Sequence, residues 1–212
     1  MASEMTPEQI EALFTRSDGS YYFARWLRPI VPVVFGVDEA TLSVMKGAIE
    51  AVVTLAGHQM AETDPELGSN LMFFFARDWD ELLALDGLDK MVPRIAETVE
   101  RLKAQGANQY RFFRFEESGE IKAAFVFLCM DEALSAMAAE DVALAQAVQV
   151  MLLWGEGAFG DASPLARAPG GEVILRPDIA GVIAAGYDKV MPGMAQDGAA
   201  HALRMFARMQ RG

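Results

Sequence analysis

The stretch Glu140-Asp141-Val142-Ala143-Leu144-Ala145-Gln146-Ala147-Val148-Gln149-Val150-Met151-Leu152-Leu153-Trp154 decides the reading of this chain. It is long enough for about four helical turns and is apolar almost all round, so it belongs inside a fold rather than on its surface. Two amides interrupt it, Gln146 and Gln149, three residues apart and therefore on neighbouring faces of one helix. A buried amide without partners costs a few kcal/mol, so the fold must supply them. Either nearby backbone does so, or the pair faces a polar cleft.

Upstream of this helix, Tyr110 to Phe115 and Ile121 to Leu128 flank Glu116 to Glu120 with its Ser118-Gly119, the pattern of a β-hairpin. Tyr110, Phe112 and Arg114 share one face of the first arm; Arg111, Phe113 and Phe115 share the other. The second arm is apolar on both faces and belongs inside the sheet. Leu71 to Phe75 is a similar buried run. Asp38 caps a helix whose Leu42, Met45, Ile49, Val52 and Val53 form one stripe, ended by Gly57. A helical region runs from Trp79 to about Gln105, broken near Asp86-Gly87, with Pro93 in the first turn of its second part. Near the N-terminus, Thr6-Pro7-Glu8-Gln9 reads as a capping box opening a short helix, and Tyr21 to Trp26 and Ile30 to Phe35 read as strands. Pro29 and Pro32 lack an N–H and mark an edge strand or a bend.

Downstream, Gly155 to Gly171 reads as a long loop, Pro177 opens a helix to about Val190, and Asp197 caps a last helix to about Gln210. No repeat or linker is visible. The expectation is a single α+β domain over residues 1–212, a small mixed sheet packed with several helices.

Composition narrows the function classes. The 212 residues are 52% hydrophobic and 23% charged, which excludes disorder. Lys and Arg number 18 against 30 Asp and Glu, a net charge of −12 that repels phosphate backbones, so no nucleic-acid partner is expected. One cysteine, Cys129, forms no intramolecular disulfide, and two histidines build no His-rich metal site. Cys129 ends an apolar strand and is expected to be buried and inert. His58, after a helix-ending glycine, suits a capping role. His201 begins a stripe with Arg204, Arg208 and Arg211 that complements a helix C-terminus. No apolar run is long enough to span a bilayer. The chain as given reads as cytoplasmic; Met1-Ala2-Ser3 in place of a removed signal would make it periplasmic or secreted.

Motif tests are mostly negative. Gly155-Glu156-Gly157-Ala158-Phe159-Gly160 matches G-x-G-x-x-G, but its glycines leave a helix instead of opening one, and Glu156 would face the phosphates. The Asp78, Asp80, Asp86 and Asp89 cluster fails as a calcium loop, because Leu82 and Leu83 occupy the fifth and sixth positions. No cofactor and no metal are expected. Arg28, beside Pro29 between two apolar runs, is expected to pair with a carboxylate, since an unpaired guanidinium there is costly.

The order of features resembles a group of uncharacterised bacterial proteins with a zincin-like, metallopeptidase-derived architecture. The resemblance rests on Arg25-Trp26-Leu27-Arg28-Pro29 and on the helix ending at Leu55-Ala56-Gly57. It continues through Asn70 before an apolar strand, Ile121 to Leu128, and Ala143 to Val148. It closes with Pro177-Asp178, Tyr187-Asp188 and Pro192-Gly193-Met194. Zincin chemistry needs two histidines four apart and a glutamate beside the first. Laid on this helix, the histidine positions fall on Val142 and Gln146, the glutamate position on Ala143 and a third ligand near Leu152. The resemblance therefore implies a zincin-like frame with a degenerate active-site helix and no zinc-peptidase activity.

The expected function is then a non-catalytic binding or regulatory domain with a protein or peptide partner. Gln146, Gln149, Glu156 and Tyr187 would line its cleft, Arg28 and Asp178 would act structurally, and no catalytic residue is assigned. The Gly155 to Gly171 loop is expected to border the ligand site. The alternatives are a hydrolase using carboxylates from Asp131-Glu132 and Glu140-Asp141, or a structural partner subunit.

Overall fold

In the computed structural model, residues 5–160 and 162–211 are described. The reading of Met1-Ala2-Ser3 lies outside them. The chain begins with α1 (Pro7–Ala12), β1 (Phe23–Ala24), β2 (Pro32–Phe35), α2 (Glu39–Leu55) and β3 (Leu71–Ala76). It continues through α3 (Asp80–Leu83), α4 (Leu88–Met91), α5 (Ile95–Gln105), β4 (Gln109–Phe115), β5 (Ile121–Cys129), α6 (Glu132–Ser135) and α7 (Ala139–Met151). It ends with β6 (Leu165–Arg167), β7 (Val173–Leu175), α8 (Pro177–Gly186), β8 (Met194–Ala195) and α9 (Gly198–Met209).

The main sheet has the order β2-β3-β5-β4. The first three strands are parallel, and β4 runs antiparallel to β5 at the edge. The fold is α+β with a mixed sheet. Helices cover both faces, which explains why β3 and β5 read as continuous apolar runs. Side chains alternate between two cores. Leu71, Phe73, Ala124, Val126 and Leu128 face α2, α7 and the C-terminal helices. Phe74, Ala123, Phe125 and Phe127 face Trp79 and the α3–α5 layer. The same alternation sends Tyr110 and Phe112 toward the second core, and Phe113 toward the first. Arg111 follows Phe113 in phase and pairs across the ladder with Val126, so it too faces α7.

α2 and α7 pack against each other beneath the sheet. The α2 stripe is buried at Met45, Ile49, Val52 and Val53, and Asp38 accepts from the Thr41 N–H as its N-cap. Gly57 takes a left-handed φ of 63°, and the His58 N–H returns to the Val53 carbonyl, closing the helix. α7 buries Val142, Ala143, Gln146, Ala147, Val148, Val150 and Met151.

Several expected boundaries differ. The first two strands are shorter, because Tyr21, Arg25, Trp26 and Ile30 make isolated bridges only. Pro32 does fall in an edge strand. Pro93 lies before α5, not inside it: Arg94 adopts φ 58° and separates α4 from α5. α7 ends at Met151, because Leu152 turns extended to bridge Arg25. α8 ends at Gly186 instead of near Val190, and Tyr187 caps it. The Gly155–Gly171 segment is not loop throughout, since Leu165–Arg167 forms β6 and pairs with β7. No described helix is long and apolar enough to cross a membrane.

Candidate functional site

A cleft of about 710 Å³ opens between the edge strand β4, the polar side of α7 and the segment following α7. Gln109 and Arg111 reach it from β4, Gln146 and Gln149 from α7, and Glu156 and Phe159 from the segment. A second recess of about 350 Å³ adjoins it, sharing Arg111, Phe113, Trp154 and Glu156. Leu134, Met137, Leu153 and Phe159 give the cleft an apolar lining beside these polar groups.

Polar partners at the base are specific. Arg111 Nη2 donates to Gln146 Oε1 at 2.7 Å and to Gln109 Oε1 at 2.8 Å. Gln146 Nε2 donates to the same Gln109 oxygen at 3.1 Å. Gln146 is thereby satisfied although only 2% of it is exposed. Arg111 is not satisfied. Of its five N–H donors, two are used; among the described residues Nε, sealed from solvent, has no partner and Nη1 has no acceptor. Among the described residues no carboxylate lies within ion-pairing distance. Burial alone lowers its pKa, to about 10, so the guanidinium stays charged at neutral pH.

The rim is fixed by packing. Trp154 stacks on Phe14 with ring centroids 5.2 Å apart, and its Nε1 donates to the Val148 carbonyl. Phe159 meets Trp154 edge-on at 5.0 Å. A Cβ on Gly155 would stand 2.3 Å from the Thr15 carbonyl oxygen, so only glycine lets the chain pass there. The Gly155 N–H donates to the Leu13 carbonyl at 2.8 Å. Glu156, exposed at the rim, accepts from the Ser17 N–H at 2.9 Å.

Of the four ligand residues expected from sequence, Gln146, Gln149 and Glu156 come together here. Tyr187 does not. Its hydroxyl donates to the Met151 carbonyl at 2.7 Å within the core, its ring lies under the Arg25 guanidinium, and His58 packs beside it. Burial and this bond make it a clamp on the end of α7. His58 caps α2 through its backbone; its ring instead bonds to the Arg28 carbonyl, 2.9 Å from Nε2. Cys129 is half-buried, not buried, with burial raising its thiol pKa.

Arg28 and Asp178 occupy structural positions. Arg28 pairs with Asp64 at 3.0 Å, with Glu66 at 3.4 Å and with Glu116. Asp64 is buried, which pushes its carboxyl up, but the Leu67 and Glu66 N–H groups, the Asn70 amide and Arg28 hold it down to about 2. Asp178 sits in the first turn of α8, accepting from Arg176 Nε at 3.1 Å and from the Ile179 N–H. None of Asp131, Glu132, Glu140 and Asp141 lines the cleft. Asp131 is the N-cap of α6, where the Leu134 N–H and the Asn108 amide hold its carboxyl low.

Gln109 and Arg111 were missed from sequence. The available signal was Arg111 in phase with Phe113 on a strand face turned toward an apolar helix. No three His, Cys, Asp or Glu side chains among the described residues gather as a metal-binding group. Compared with protein-family models, curated proteins and solved structures, the chain matches none.

Proposed function

We propose that this chain is a non-catalytic ligand-binding or regulatory domain on a zincin-like frame, and that the cleft between β4 and α7 receives the ligand. The carrying observation is the unfinished hydrogen bonding of Arg111 at the base of an open cleft, beside two glutamines that fix its Nη2. A charged group with no counter-ion among the described residues, at the base of an open cleft, suits a binding role. The register of the frame is consistent with this reading. Val142 and Gln146, the positions where a zincin would carry histidines, both line the cleft, while Ala143 is enclosed in the core. Valine, alanine and a glutamine amide already bonded to arginine offer neither imidazole ligands nor a general base.

The test pairs turnover with binding. A set of small neutral, anionic and cationic fragments is titrated into protein with assigned side-chain amides, and fluorogenic peptides are incubated with the protein with and without added zinc. The reading expects fragments to shift the Gln109, Gln146 and Gln149 amides and no peptide to be cleaved above the buffer rate. Cleavage that disappears when Gln146 or Gln149 is replaced would overturn it.

A further inference from the structure

Resting on that reading, we propose that the ligand is a carboxylate carried on an apolar body, with the charge on Arg111 and the body against Leu134, Met137, Leu153 and Phe159.

The charge of the ligand follows from the donor count. Nη2 of Arg111 spends its donors on Gln109 and Gln146, which locks the guanidinium plane. Among the described residues Nη1 has no acceptor and is the donor left for a ligand, while Nε is unpartnered but sealed from solvent. A guanidinium is donor-only, so a neutral or cationic ligand group without an acceptor oxygen cannot complete it. A charge held away from water without a partner is expensive, and an incoming anion removes that expense as it forms charge-assisted hydrogen bonds. The two glutamine carbonyls already balance part of the cation as dipoles, so one negative charge completes the site. Gln149, on the next turn of α7, lines the same cleft and carries an amide able to donate to a second carboxylate oxygen.

The body of the ligand follows from the lining. Leu134, Met137, Leu153 and Phe159 all line the cleft. Met137 is 47% exposed and offers the cleft an adaptable apolar surface. A small hydrated anion such as inorganic phosphate would leave these walls wet. A chain of −12 net charge also repels free anions at long range, so the ligand needs apolar burial as well as the local arginine. The volume, about 710 Å³, is of the size that encloses a small organic acid.

The experiment compares 4-phenylbutanoate, its neutral amide and inorganic phosphate by calorimetry and by side-chain amide shifts, in wild type, Arg111→Gln and Arg111→Lys. Melting curves establish that both variants fold. The acid should bind wild type at least tenfold more tightly than the amide or phosphate and shift the Gln146 and Gln149 amides. Arg111→Gln should erase the preference for acid over amide, and Arg111→Lys should keep part of it. Equal binding of acid and amide, both shifting Gln146, would overturn the carboxylate and leave the cleft standing. Phosphate binding as tightly as the acid would overturn the apolar body. No shift at Gln109, Gln146 or Gln149 with any of the three, or with the wider fragment set, would overturn the inference and the binding reading together.

Discussion

Arg111 of β4 donates through Nη2 to Gln146 Oε1 of α7 at 2.7 Å, joining the edge of the sheet to the central helix across 35 residues of sequence. Together with the Gln146 Nε2 bond to Gln109 Oε1, it ties two otherwise apolar surfaces, and Arg111 still lines the open cleft with Nε unpartnered.

Replacing Arg111 by methionine should stabilise the free protein while abolishing acid binding. The methionine keeps most of the volume and removes an incompletely paired buried charge, worth about 1 kcal/mol in favour of the variant. Urea denaturation read by tryptophan fluorescence checks this; a lower midpoint for Arg111→Met would mean that its two bonds to glutamine outweigh the desolvation.

Neutralising the rim should strengthen binding. Glu156 is the carboxylate lining both recesses with Arg111, and it repels an incoming acid across the cleft. Glu156→Gln retains an oxygen for the Ser17 N–H and should tighten 4-phenylbutanoate binding about threefold at low salt, with the gain shrinking as salt screens the charge. Calorimetry at two ionic strengths measures both effects.

The last helix carries a pH-dependent element. His201 is 3% exposed, its Nδ1 lies 2.7 Å from the Tyr21 hydroxyl, and its Nε2 has no partner. Burial, aided by Arg204, lowers its pKa to about 4. The unfolded chain binds this proton near the ordinary 6.5, so stability is full above that value and falls as pH drops from 6.5 toward 4. Denaturation midpoints of wild type should fall over that window, and His201→Asn should flatten the fall.

The Arg28 network sets stability at lower pH. Arg28→Ala leaves Asp64 buried with one partner fewer and should cost about 1–2 kcal/mol, discounted because the Arg28 side chain is 24% exposed. Asp64 has a depressed carboxyl pKa, so its contribution is present above about 4 and is lost as pH falls toward 2. The variant's deficit should therefore shrink in that acid range, which acid titration monitored by circular dichroism will show.

Local chemistry made much of this legible in advance. The Thr6–Gln9 capping box, the Asp38 and Asp197 caps, the Gly57 stop and the β4–β5 hairpin each depend on neighbours a few residues apart, and each is present. The pairing of Arg28 with acids followed from burial cost alone. Features set by distant partners were not legible. The Leu152 bridge to Arg25 ends α7 from 127 residues away, and the β6–β7 pairing hides inside a glycine- and proline-rich stretch. Gln146 and Gln149 stood out as amides on an apolar helix. Arg111, its phase noted, gained its meaning only when the sheet placed it opposite Gln146, and Tyr187 lost its assigned role when its hydroxyl met the Met151 carbonyl.

The most direct test of the account is a crystal structure of the protein grown with 4-phenylbutanoate. The account predicts the ligand between β4 and α7, its carboxylate within hydrogen-bond distance of the Arg111 guanidinium and its ring against the Met137 and Phe159 walls. A ligand bound at another surface, with Arg111 still lacking an acceptor and the cleft holding only water, would contradict it.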